Sequence, residues 1–110
     1  SHIIRPQGDV LYEMLEILPL LNSGVMVHFH DICTPKDYFD EWIYERNRFW
    51  NEQYLLEAFL SFNKKFKIIL ATNYLFHHHY ELFISKCPIL EIDRKKKPER
   101  ETGSFWIKKI

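Results

Sequence analysis

Residues 25–32 read VMVHFHDI and set the expectation for the whole fold. The first half of this stretch, rich in β-branched and aromatic residues, predicts a strand whose near-continuous apolar run is typical of a parallel strand covered on both faces. The second half adds His28, His30 and Asp31, which prefer water to a core. We therefore predict that the core stops near His30 and that a polar site begins there.

The segments around this strand alternate between helical and extended patterns. Pro19 should shorten the end of the first helix, and Gly24 follows it. Strands separated by helices predict parallel βαβ units, and hence an α/β fold with about three strands and flanking helices. The predicted elements are helices at 9–22, 40–62 and 73–87, strands at 25–32, 66–72 and 104–109, a short extended piece at 87–92 and a polar loop at 93–103.

Size and charge limit the class of protein. The 110 residues, 46% of them hydrophobic, suffice for one single domain spanning 1–110. Fifteen basic and fifteen acidic residues cancel, which argues against nucleic acid or a membrane surface as a partner held by bulk charge. Cys33 and Cys87 form no CxxC motif, so free thiols in a cytoplasmic protein are expected, with a disulfide as the alternative.

The end of the predicted strand at 25–32 is the first candidate site. Ligands of open parallel sheets bind at the carboxyl ends of the strands, where His30 and Asp31 fall. Asp31 becomes free to point into a cleft if the strand ends at His30. The structural alternatives are a turn-capping role for Asp31 and a core position for His28, with its nitrogens bonded to backbone.

Two other polar groups are less specific. His77, His78 and His79 are consecutive, and successive residues of a helix diverge by about 100°, so we interpret them as a histidine-rich surface turn rather than a metal site. Asn51, Glu52 and Gln53 interrupt an apolar helix. We place these three on its solvent side, with a role in lining the cleft as the alternative.

Several stretches, taken in order, resemble the second half of class I S-adenosylmethionine-dependent methyltransferases. The resemblance is to the branch with Asp-x-x-His after the fourth strand, a helix, a glycine turn, and a strand ending in His-Asp. His2 takes the place of the first histidine, residues 20–24 stand for the turn, and His30-Asp31 match the His-Asp pair. Residues 50–60, WNEQYLLEAFL, and 103–109, GSFWIKK, also look like this branch. The resemblance spans nearly the whole chain.

The resemblance implies a partial Rossmann-like methyltransferase sheet whose last strand runs antiparallel and inserts between the other two. It implies O-methyl transfer from S-adenosylmethionine to a hydroxyl of a small molecule or sugar. Asp31 is then the candidate ligand of a divalent cation such as Mg²⁺, and His30 or His2 the general base or a substrate contact. Ile32 stands where such enzymes carry an asparagine ligand. Because the helix that carries Trp50, Asn51 and Glu52 is expected to start near the carboxyl end of the first strand, these three are the candidate substrate-binding residues.

The cofactor half of such an enzyme is not represented in these residues. The three glycines, Gly8, Gly24 and Gly103, form no glycine-rich cofactor loop. The sequence begins at Ser1, without an initiator methionine, and the fourth-strand aspartate would fall just before it. We therefore expect a truncated methyltransferase that neither binds S-adenosylmethionine nor acts on its own.

Two alternative functions fit the same sequence. A non-enzymatic assembly module would self-associate through an unpaired sheet edge. A small His-Asp metal protein would bind zinc or manganese one to one and lose it on Asp31→Ala. The residues expected to supply apolar surface for assembly are Trp42, Trp50, Phe59 and Phe62.

Overall fold

Three strands form the sheet in a computed structural model that describes residues 1–110: β1 (Met26–Phe29), β2 (Phe66–Ala71) and β3 (Phe105–Lys109). β3 lies between β1 and β2 and is antiparallel to both. β1 and β2 therefore point the same way without hydrogen bonding to each other. The chain is thus a mixed α/β protein with a three-stranded antiparallel sheet, and the expected insertion of the last strand is confirmed.

The helical segments lie before, between and after the strands. The first helix, α1, runs on into a π-helical turn and a 3₁₀ turn, and a separate π-helical turn precedes α2. No helix is long and apolar enough to span a bilayer. The bounds are α1 Asp9–Tyr12, its π-helical turn Glu13–Ile17 and 3₁₀ turn Leu18–Leu20, the separate turn Glu41–Glu45, α2 Glu52–Ser61, α3 Thr72–His78, α4 Tyr80–Lys86 and α5 Ile89–Lys96.

The first helix starts as predicted at Asp9 and stops two residues early. Pro19 lies inside the final 3₁₀ turn, because a proline has no backbone N–H for the next α-helical hydrogen bond. Gly24 then adopts a φ of +91° and donates its backbone N–H to the carbonyl of Lys109 at 2.8 Å. This left-handed position, which suits glycine, leads the chain into β1 beside β3.

The core lies on one face of the sheet. Cross-strand pairing aligns Phe29 with Phe105 on that face, whereas His28 pairs with Trp106 on the other. Met26, also on the other face, is 58% exposed. The prediction that the first strand is covered on both faces is therefore wrong, because Met26 and His28 on the second face are exposed. The buried core consists of Val10, Met14, Leu18, Phe29, Ile32, Leu56, Phe66, Phe105 and Ile107.

The predicted helix at 40–62 is broken in the middle. Residues 46–51 are not helical, and Asn47 adopts a φ of +50°. The N-terminus of α2 is fixed instead by the start of the chain, because the N–H groups of Asn51 and Glu52 donate to the carbonyl of His2. A tertiary contact thus overrides a continuous helical periodicity.

The C-terminal helices also differ from the prediction. The helix expected at 73–87 is two helices, α3 and α4, separated at His79. The piece at 87–92 is not extended, since α5 begins directly after Pro88, whose fixed φ suits a helix start. The predicted polar loop is correspondingly shorter, because its first residues belong to α5. The strand predicted at 104–109 is confirmed within one residue as β3.

Candidate functional site

A tight turn after β1 places Asp31 at the sheet's rim. β1 ends at Phe29, and Asp31 adopts a φ of +59°, a left-handed conformation that aspartate tolerates better than most residues. Gly103 supports this turn, because its carbonyl accepts the N–H of Ile32 at 2.9 Å and an added Cβ would lie 3.1 Å from the Asp31 Cα. The turn brings the Asp31 carboxylate back to the side of His30.

The extended residues 1–4 carry His2 to the same place. The carbonyl of His2 accepts the N–H of Asn51 at 3.0 Å and that of Glu52 at 3.1 Å. The side-chain oxygen of Asn51 in turn accepts the N–H of Ile4. Free N–H groups at a helix N-terminus need such acceptors, so the start of α2 holds this segment in position.

Three possible ligand atoms meet at the carboxyl end of β1. The Oδ2 of Asp31 lies 3.0 Å from Nδ1 of His30 and 3.5 Å from Nε2 of His2. One donor atom from each residue falls within 4.8 Å of the others. The structure therefore brings together the three residues that the sequence predicted as catalytic or metal-binding, which come from two segments 28 residues apart.

Glu52 fixes the orientation of His2 from the buried side. Its Oε2 lies 2.7 Å from Nδ1 of His2, and its side chain is only 7% exposed. Burial raises the pKa of the Glu52 carboxyl, and the hydrogen bond with His2 opposes that rise. When an ionised Glu52 accepts the Nδ1–H of a neutral His2, the lone pair of Nε2 faces the Asp31 carboxylate. A proton or a metal cation placed between Nε2 of His2 and the Asp31 carboxylate would interact favourably with both.

The predicted substrate-binding residues all lie at this cluster. The Trp50 indole packs on the His2 ring with centroids 4.2 Å apart, Asn51 holds the backbone of residues 1–4, and Glu52 contacts His2 directly. The placement of Asn51, Glu52 and Gln53 on the solvent side of α2 is wrong, since Glu52 and Gln53 are buried. Helix α2 begins only at Glu52, so these polar side chains point to the strand end rather than outward.

Gln53 has a structural role that sequence reasoning missed. Its Oε1 accepts the N–H of Cys33 and its Nε2 donates to the carbonyl of Lys36, both at 2.9 Å. The Tyr38 hydroxyl accepts the Gln53 backbone N–H at 3.1 Å. This fully buried amide ties the loop after Asp31 to α2. The sequence signal that could have indicated this role is the polar run 51–53 at the start of an otherwise apolar helix.

A groove of about 530 Å³ runs from the cluster along β1. His2, His30 and Glu52 close one end of it, and the first helix forms the opposite wall. The groove follows the edge of β1 that does not pair with β3. The residues lining it are Ser1, His2, Glu13, Ile17, Leu18, Leu21, Val25, Met26, Val27, His28, Phe29, His30 and Glu52.

A second histidine–glutamate pair lies at the carboxyl end of β2. The ring of His77 contacts the Glu101 carboxylate, and its Nε2 lies 3.3 Å from Nζ of Lys36. The buried Asn73 donates to Glu101 at 3.1 Å and to the carbonyl of Thr102 at 2.9 Å. His77 is the only histidine that contacts the Glu101 carboxylate.

His28 and the three consecutive histidines of α3 and its end are all exposed. His77, His78 and His79 are on the surface, as predicted. The expectation that His28 is a core histidine is wrong, because it is exposed on the sheet face opposite the core. It stacks there on Trp106 with ring centroids 4.6 Å apart.

Comparison with known proteins adds no relative. No family model matches the chain, and no curated protein or solved structure matches it either.

Proposed function

We propose that this chain supplies the acceptor side of an S-adenosylmethionine-dependent O-methyltransferase and binds a divalent cation at Asp31. The methyl acceptor is a hydroxyl of a small molecule or sugar. The observation that carries the proposal is the convergence of His2, His30 and Asp31 at the carboxyl end of β1. The ordered sequence resemblance, in which the aspartate of the His-Asp pair binds a cation beside the acceptor hydroxyl, supports the same position.

The donor set favours some cations over others. Mg²⁺ prefers oxygen ligands in octahedral geometry, whereas two imidazoles and one carboxylate suit Mn²⁺, Fe²⁺ or Zn²⁺ better. Glu52 strengthens that fit, because a carboxylate bonded to the far nitrogen of a ligand histidine fixes its tautomer and raises its basicity. We therefore propose a transition-metal ion rather than Mg²⁺ at this site.

A cation held here would lower the pKa of an acceptor hydroxyl and stabilise the resulting alkoxide. Asp31 supplies the negative charge, and His2 presents Nε2 from a ring held between Glu52 and Trp50. His30 is 72% exposed, whereas His2 is 23% exposed. His30 therefore lies on the solvent-exposed side of the site and His2 on its buried side.

The fold supports the same proposal. We infer that the sheet is a part of a Rossmann-like methyltransferase sheet, because its last strand inserts antiparallel between two strands of common direction. Two free cysteines are in keeping with a cytoplasmic location. A small His-Asp metal protein without methyl transfer would use the same cluster.

Calorimetric titration with S-adenosylhomocysteine, with and without Mn²⁺, tests the enzymatic proposal. Micromolar, one-to-one binding would mean that this polypeptide completes a cofactor pocket, whereas no binding confines the proposal to the acceptor side. We expect no methyl transfer from labelled S-adenosylmethionine by the chain alone, since it has no glycine-rich cofactor loop. Turnover by the chain that survives both chelation and Asp31→Asn contradicts the role assigned to Asp31.

Self-association is the second candidate function. β1 and β2 are both edge strands, and β2 exposes an apolar run in which Ile68 is 54% and Ile69 45% exposed. Exposed apolar edges favour pairing with another chain. Of the aromatic residues expected to supply such a surface, Phe62 is 95% exposed, whereas Trp42, Trp50 and Phe59 are half-buried within the chain.

Sedimentation equilibrium distinguishes this candidate from the enzymatic one. An assembly module should form dimers or larger species at micromolar concentration, and Ile69→Lys on the β2 edge should shift them towards monomer. Glu81→Lys, on the exposed surface of α4, is the matched control. A monomer across the whole range excludes self-association as the function.

A further inference from the structure

Arg48, in the non-helical segment before α2, packs against the rings of both Trp42 and Trp50. Its guanidinium carbon is 4.9 Å from the ring centre of Trp42 and 4.7 Å from that of Trp50. The two indoles themselves pack edge to face, with centroids 5.0 Å apart. A guanidinium that contacts two adjoining aromatic rings is attracted to both by cation–π interaction, which restricts its orientation.

The hydrogen-bond donors of this guanidinium have no partner within the chain. Arg48 makes no side-chain hydrogen bond and no ion pair, although it is half-buried. Arg46, two residues earlier, is exposed and pairs with Glu41 at 2.7 Å. A guanidinium with free donors can bind carboxylate or phosphate oxygens through two parallel hydrogen bonds.

Trp50 connects this arginine to the candidate site. The same indole that contacts Arg48 also packs against the His2 ring. His2 in turn faces Asp31. A ligand whose anionic group binds Arg48 therefore lies one indole away from the cluster that would receive its hydroxyl.

We propose that Arg48 binds an anionic group of the methyl acceptor, so that the substrate class is a hydroxyl compound bearing a carboxylate or phosphate. The inference rests on the proposed function for the identity of the hydroxyl site. The anion site itself depends only on Arg48, Trp42 and Trp50. Charge-assisted hydrogen bonds contribute about 1.5–3 kcal/mol, which corresponds to a preference of about tenfold or more for an anionic ligand.

Titration with three matched probes tests this proposal: 4-hydroxybenzoate, its neutral amide 4-hydroxybenzamide, and 4-hydroxyphenyl phosphate. Tryptophan fluorescence and calorimetry report binding. We expect the wild-type chain to bind at least one anionic probe about tenfold or more tightly than the amide. Arg48→Gln should abolish the preference, Arg48→Lys should reduce it because the planar fork is lost, and Arg46→Gln should retain it.

The same preference in Arg48→Gln as in the wild type, or no preference in the wild type, overturns the proposal. Should Arg48→Gln fail to fold by circular dichroism, Arg48→Lys carries the comparison. The two anionic probes show whether carboxylate or phosphate is preferred.

Repeating the titrations in EDTA and in Asp31→Asn separates this inference from the proposed function. An Arg48-dependent preference without Mn²⁺ binding supports the anion site and contradicts the cation site. Mn²⁺ binding without any anionic preference contradicts the Arg48 proposal alone.

Discussion

The carboxyl ends of β1 and β2 both carry a histidine paired with a glutamate, yet they differ in what surrounds the pair. At β1, His2 and buried Glu52 are joined by His30 and Asp31, and the donor atoms converge. At β2, His77 pairs with Glu101, and the neighbouring histidines point to solvent. Convergence at β1 thus combines the adjacent His30 and Asp31, in a turn, with His2 from a distant segment, whereas the consecutive histidines on α3 do not converge.

The two ends also differ in how firmly the following segment is held. After β1, the amide of Gln53 clamps the loop onto α2. After β2, the chain continues into α3, α4 and α5, which bury only Thr72 and Asn73 at the first turn of α3. A site with fixed geometry is therefore expected at β1, and local opening is expected first in 74–96.

Thiol reactivity should show the largest difference between the two regions. Cys33 follows the β1 turn and is 2% exposed, and burial raises the pKa of its thiol to about 12, whereas Cys87 is half-buried after α4. We expect Cys87 to react with a thiol reagent in the native protein and Cys33 to react on the order of a thousandfold more slowly, because it needs unfolding and a thiolate. Mass spectrometry of Cys87→Ser supplies the control. Equal native rates would refute the buried placement of Cys33.

Substitution of Gln53 should lower the free energy of unfolding far more than substitution of a residue on the exposed helices. Gln53→Ala leaves the buried N–H of Cys33 and carbonyl of Lys36 without partners, so we expect a loss of roughly 3 kcal/mol. His78→Ala on the surface of α3 should change stability by less than about 0.5 kcal/mol. Urea denaturation of the two variants measures both values. Similar losses at the two positions would show that the β1 end is no better anchored.

Mn²⁺ affinity should fall when Glu52 is replaced and should not change when Glu101, its counterpart at β2, is replaced. Removing a carboxylate bonded to a ligand histidine reduces metal affinity by about 10- to 100-fold, which is our expectation for Glu52→Gln with Mn²⁺. Glu101→Gln, at the β2 pair, should leave Mn²⁺ affinity unchanged. An equal effect of the two variants would place the cation elsewhere.

The smallest effect concerns the pH dependence of stability. Burial holds the pKa of Glu52 above its ordinary value of 4.5, so the folded chain retains a proton that the unfolded chain releases. This contribution is fully present below about pH 4.5 and is lost as the pH rises through the folded pKa. The stability of the wild type relative to Glu52→Gln should therefore fall between pH 4 and neutral pH. A rise over that range would mean that the bond to His2 outweighs burial.

Sequence patterns predicted the strands better than the helices. Each of the three strands was located within a few residues, because β-branched runs end in recognisable turn residues, and the strand order followed from the resemblance. The helix at 40–62 was wrong because its periodicity says nothing of the contact between His2 and Asn51 that starts α2 later. The helical start after Pro88 was missed for lack of a long apolar repeat.

The sequence predicted only the part of the candidate site that local patterns mark. His30 and Asp31 stood out because polar residues at a strand end are conspicuous in a single sequence. The pairing of His2 with Glu52 depends on a contact across 50 residues, which no local pattern encodes. The buried roles of Glu52 and Gln53 follow from where α2 begins, and the contact of Arg48 with two indoles follows from the non-helical segment 46–51.

Titration of the purified chain with Mn²⁺, followed by electron paramagnetic resonance, tests the central claim most directly. We expect one bound ion per chain and about a hundredfold weaker binding in Asp31→Asn, because a neutral amide then replaces the only carboxylate of the convergent cluster. Asp37→Asn, on the loop beyond the site, should bind like the wild type. No binding to the wild type, or equal binding to Asp31→Asn, would contradict a metal centre at the end of β1.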